Sequence, residues 1–68
     1  VSIVTELGSE IARVRRIAEK MDPAGRDKAL RSIRFAELAM QQVSIGDMYE
    51  SLDELKEIKD PAAGPAAA

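Results

Sequence analysis

The apolar residues change phase within the stretch AMQQVSIGDMYESL, residues 39–52. At about 100° per residue, Ala29, Leu30, Ile33, Ala36, Met40 and Val43 fall on one helical stripe. Ile45, Met48, Leu52 and Leu55 fall on a second, rotated by roughly a third of a turn. Phe35, Leu38 and Ala39 lie off the first stripe, on or beyond the side that the second occupies. Between residues 29 and 45 the segment is therefore apolar around most of its circumference. A helix in that state is covered by more than one neighbour, so the chain calls for a bundle.

Upstream, Val4, Leu7, Ile11, Val14, Ala18 and Met21 recur at alternating steps of 3 and 4, the seam of a helix packed lengthwise on another. This predicts a first helix over residues 2–21, with Ser2 as N-cap and Glu6 where the helix dipole favours an acid. Gly8 costs this helix up to ~1 kcal/mol relative to Ala. MDPAGRD ends it: Pro23 disfavours helical geometry at Asp22, and Gly25 loosens the start of the next element. A linker of about four residues folds two helices back as an antiparallel hairpin.

The second helix is expected to begin near Gly25 or Arg26 and meets no proline before Pro61. At ~1.5 Å per residue it would reach roughly 50 Å against roughly 30 Å for the first helix. The part beyond Val43 would then overhang with an apolar stripe facing water. The preferred reading is an unbroken second helix whose overhang is covered by another subunit. The alternative is a break at SIGD, where Ser44 and Asp47 have capping-box spacing with Asp in place of Glu or Gln. On the preferred reading Phe35, Leu38, Ile45, Met48, Leu52 and Leu55 form an oligomer interface.

Size points the same way. A chain of 68 residues is one small domain, which usually needs a staple or a partner. With no Cys and no His, disulfides and the usual zinc sites are excluded, and self-association remains. Residues 1–60 are read as the helical hairpin and 61–68, PAAGPAAA, as a disordered tail or linker. A first residue Val1 rather than Met suggests a trimmed chain or a fragment of a longer protein. No apolar run approaches the ~18–20 residues of a membrane span and no signal-peptide pattern is present, so no membrane partner and a cytoplasmic location are expected.

Charge is unevenly spread. Residues 13–34 carry eight cations against three acids, net +5, and residues 35–60 carry seven acids against two cations, net −5. If the hairpin forms, the cations gather near its turn, beside the N-terminus of the second helix, whose free N–H groups also favour anions. Arg16, Lys20, Arg31 and Arg34 are the candidate phosphate-binding residues, because the guanidinium fork grips two oxygens at once. A solvated basic surface, or one paired with acids of a neighbouring subunit, is the competing reading.

Catalysis ranks low. The hydroxyls have no base at nucleophile spacing, no phosphate-cradling glycine loop is present, and no cofactor or metal is implied. DMYESLDELKE reads as a solvated face with an Asp53–Lys56 pair at i,i+3. With only Phe35 and Tyr49 as aromatics and a pI near 5.0, nucleic-acid recognition ranks low too.

GRDKALRSIRFAELAM resembles the second helix of the helical hairpin shared by phage anti-CBASS and anti-Thoeris proteins that sequester cyclic nucleotides. The positions that carry the resemblance are Arg26, Asp27, Ala29, Leu30, Arg34, Phe35, Glu37 and Met40. It departs after Met40, where Gln41, Gln42 and Val43 stand in place of a Trp and small residues, and no ligand residue of that family transfers one to one. The resemblance implies a phage-encoded homo-oligomer acting in a bacterial host as a sponge for a cyclic nucleotide signal. Together these readings favour an all-α, helix-bundle homo-oligomer that is not an enzyme and binds an anionic nucleotide between subunits. A structural or adaptor module for protein–protein interaction is the alternative.

Overall fold

Among the described residues, three helices are marked off by their caps: α1 (Ile3–Ala18), α2 (Pro23–Gln41) and α3 (Ile45–Lys56). The computed structural model describes residues 2–61, so all but the first residue of the expected tail lies outside the described residues. The all-α expectation holds, and no strand occurs among the described residues. No helix among them is long and apolar enough to cross a membrane.

Helix α1 starts where the sequence places it. The Ser2 side chain accepts a hydrogen bond from the Thr5 N–H at 3.1 Å, satisfying one of the donors that a helix start leaves orphaned. It ends at Ala18, three residues earlier than expected, in a tight turn that carries Lys20 N–H to Ile17 O and Met21 N–H to Ala18 O. Arg26 then reaches back, its Nε and Nη2 donating to the Ala18 and Met21 carbonyls. α2 begins at Pro23 rather than at Gly25 or Arg26. Proline suits a first helical position, where its missing N–H would have no partner anyway. Asp22 is the N-cap, its carboxylate accepting from Gly25 N–H at 3.2 Å. A Cβ at Gly25 would stand 2.8 Å from that carboxylate oxygen, so glycine is what lets the cap close.

The preferred reading of an unbroken second helix is overturned. α2 stops at Gln41, and the backbone turns through Val43 at φ 52°, in the left-handed region. Ser44 N–H donates to Ala39 O and Val43 N–H to Met40 O, the paired bonds of a Schellman helix end. Ser44 is the N-cap of α3 but makes no side-chain cap bond, so the capping-box spacing marks the position without the chemistry. α3 folds back along α2 in the register set by the burial of Met48, Leu52 and Leu55, and Ser32 Oγ donates to Glu54 at 3.3 Å in that register.

This fold-back resolves the phase change. Met48, Leu52 and Leu55 are buried in the same core as Leu7, Ile11, Val14, Ala18, Ala29, Ile33, Ala36 and Ala39. The sequence assigns them to contacts with other chains; they meet their own. With the overhang gone, the apolar stripe beyond Val43 no longer demands a second subunit. Val43 itself, expected on the core stripe, is 71% exposed, and Val4 is also outside the core. Ile17 and Ile3, which the 3–4 seam leaves out, are buried and packed on the core respectively. Ser51 is the one fully buried polar side chain among the described residues, and its hydroxyl donates to Met48 O at 3.0 Å. Across the chain, α1 packs on both other helices: Arg15 bonds Glu37 of α2 at 2.8 Å, and Lys56 of α3 bonds Glu6 at 3.0 Å.

Candidate interaction surface

The basic cluster divides by task. Arg13 and Arg26 are structural. Arg13 pairs with Glu10 at 2.8 Å and donates to the Leu55 and Ile58 carbonyls, closing the C-terminal end of α3 as Arg26 closes that of α1. Neither helix end has a glycine to satisfy its last carbonyls, and that lack is the sequence signal that a long donor must arrive from elsewhere.

The four nominated phosphate ligands do not converge within one chain. Arg16 and Lys20 border a shallow depression together with Arg13 and Asp60, and Lys20 is paired there with Asp60 at 3.3 Å. Arg31 lines a second depression, between α2 and α3. Arg34 lines a third, with Glu37, Leu38 and Gln41 on the outer side of α2. The N-terminus of α2 already holds the Asp22 carboxylate, which takes the place an external anion would fill.

Among the residues nominated as an oligomer interface, Met48, Leu52 and Leu55 are spent on the intramolecular core. Phe35 is half-buried, while Leu38 and Ile45 are 48% and 52% exposed. Tyr49, one turn beyond Ile45, is exposed as well. Lys56 bonds Glu6 of α1 instead of forming the expected Asp53 pair. That hydrogen bond and the Glu6 charge raise the Lys56 ammonium above its ordinary value, with smaller help from Glu10 and Asp53.

The depression between α2 and α3 has the most organised chemistry. Lys28, Arg31, Ser32 and Phe35 line its α2 side, and Glu50 and Glu54 line its α3 side. Phe35 and Glu37 are two residues apart, so they stand about 160° from each other around α2, and Glu54 and Lys56 likewise around α3. Since Glu37 and Lys56 are bonded to α1, the furrow lies on the face of the α2–α3 pair turned away from α1. That face carries a cationic stripe beside an anionic one, with an aromatic ring between them. Among the described residues, Lys28, Arg31 and Arg34 enter none of the ion pairs, which join Arg13 to Glu10, Arg15 to Glu37, Lys20 to Asp60 and Lys56 to Glu6. No cluster of three or more potential metal-ligating side chains occurs among the described residues. Comparison with protein-family models, with characterised proteins and with solved structures finds no match to this chain.

Proposed function

We propose that this chain is a non-catalytic protein–protein interaction module that works through the α2–α3 face turned away from α1. The observation that supports this best is the two-signed furrow. Lys28 and Arg31 confront Glu50 and Glu54 across a half-buried Phe35, without an ion pair closing the gap. Such a surface suits a protein partner, which offers both charges and an apolar anchor. A small anion would gain from Lys28 and Arg31 but be opposed by both glutamates.

Sequestration of a cyclic nucleotide is the second reading. Lys28, Arg31 and Arg34 favour it, being exposed cations outside the intramolecular ion pairs. It requires an assembly in which several chains bring those side chains onto one ligand. Native mass spectrometry of protein purified from cells at low salt separates the two. The expected result is a complex of polypeptides that Arg31→Glu disperses. A retained small anion of nucleotide mass, released by the same substitution, would replace the module reading with the sponge.

A further inference from the structure

The open α2–α3 face is complementary to itself under one particular symmetry. Its two stripes run side by side along antiparallel helices, cations on α2 and anions on α3. A two-fold axis lying in the interface and parallel to the helices exchanges left for right while keeping height. It sets the cationic stripe of each copy on the anionic stripe of the other. A two-fold perpendicular to the helices would instead put like charge on like charge. The charge pattern thus selects one dimer from the two ways of apposing this face.

Resting on the reading of this face as the working surface, we infer that its partner is a second copy of this chain. The register then specifies contacts. Ser32 bonds Glu54, so Arg31 stands level with Leu55 and Lys28 with Ile58. Arg31 of one copy meets Glu54 of the other, and Lys28 meets Glu57, each contact occurring twice by symmetry. α2 of one copy runs antiparallel to α3 of the other, completing a four-helix bundle in which all adjacent helices are antiparallel. The two Phe35 rings enter the middle, where their exposed edges lose water. α2 and α3 overlap over the 12 residues of α3, about 18 Å of helix. The buried area therefore falls at the low end for specific interfaces, below ~1,200 Å² in total. The dimer is accordingly weak and sensitive to salt, because its contacts sit at a solvent-accessible rim.

Sedimentation velocity across micromolar to millimolar protein tests this, at about 0.05 M and about 0.5 M salt. A concentration-dependent dimer is expected at low salt and a shift toward monomer at high salt. Arg31→Glu alone and Glu54→Arg alone each create a like-charge contact twice over, weakening the dimer on the order of a hundredfold. Mixing these two variants is the decisive arm. Each homodimer is repulsive, but the mixed dimer restores opposite charge at both contacts and should form. Both positions are exposed, so each variant should keep its helicity, which circular dichroism checks. A wild-type monomer throughout the range overturns the inference, as does a dimer that both variants leave intact or a mixture that does not pair. If the wild type stays monomeric yet carries a different protein that Arg31→Glu releases, the second copy is wrong while the interaction module stands.

Discussion

The two turns that join α1, α2 and α3 are built in opposite ways. At the α1–α2 turn, residues 19–22, local chemistry states the instruction. Asp22 caps, Pro23 takes the first helical position, Gly25 makes room for the cap, and Arg26 closes the preceding helix. At the α2–α3 turn, residues 42–44, almost none of this is present. The left-handed position of the Schellman bonds holds Val43 where glycine is usual, and Ser44 offers no side-chain cap. Gly46 sits three residues late, inside α3. The second turn is enforced by the helix beyond it: Met48, Leu52 and Leu55 reach the core only if the chain reverses. One turn is local, the other tertiary.

If so, the second turn should fail when its core anchor fails. Leu52→Asp places a charge among apolar neighbours at a cost of several kcal/mol, a large share of a small domain's stability. The expected outcome is cooperative loss of helicity by circular dichroism at room temperature. A variant that stays folded and merely changes its mass would return Leu52 to an intermolecular role and undo the contrast between the turns.

Next in size is the strain at Val43. A β-branched residue in the left-handed region costs about 1–2 kcal/mol, and glycine there recovers most of it while loosening the unfolded chain. Val43→Gly should stabilise by about 0.5–1 kcal/mol net, raising the melting temperature by roughly 3–6 °C for a domain of this size. Since Val43 is 71% exposed, little packing is lost. A fall in melting temperature would mean that the valine side chain holds the turn. The caps then sharpen the comparison. Asp22→Ala should cost about 1 kcal/mol, because the Gly25 N–H loses its acceptor. Ser44→Ala should stay within about 0.5 kcal/mol in urea melts, since no cap bond exists to lose. Equal losses at the two sites would contradict the local and tertiary distinction.

The same distinction explains how much was legible in the sequence. Ser2 and the 3–4 seam from Leu7 to Ala18 can be read because their signals are periodic or sit at a cap. The phase change is equally visible, yet two structures satisfy it: a straight helix covered by a neighbour, or a broken helix covered by itself. Glycine is the customary mark of such a break, and here it stands at Gly46 rather than at Val43. The basic cluster is only partly legible for a related reason. Net charge along the chain does not reveal which guanidinium has a carbonyl within reach. Arg13 and Arg26 cap helix ends whose positions depend on the turns. Arg31 comes to share a furrow with Glu50 and Glu54 only once α3 has folded back along α2.

The smallest effect belongs to the contact that ties the two regions together. Lys56, at the end of α3, reaches Glu6 in α1, and each side chain is about half exposed. Accepting the Lys56 hydrogen bond and adding its charge, Glu6 holds the ammonium above its ordinary value of 10.5 in the folded protein. A group whose folded value lies above its unfolded one stabilises fully below the unfolded value. That contribution is lost as pH rises through the folded value. The contribution of this pair should therefore be flat through neutral pH and fade only above about 10.5. Lys56→Gln isolates it, since glutamine keeps part of the stem but not the charge. Thermal melts of both proteins from about pH 8 to about pH 11.5 should begin with the wild type slightly ahead and end with the two curves together. Raising salt at pH 8 should also narrow the gap, because an exposed pair is screened. A gap that persists unchanged to the highest pH would assign the contact to the apolar stem of Lys56 lying along α1 rather than to its charge. The α1–α3 junction would then be held by burial and by the Arg13 bonds to the Leu55 and Ile58 carbonyls, with no contribution from the Lys56 charge.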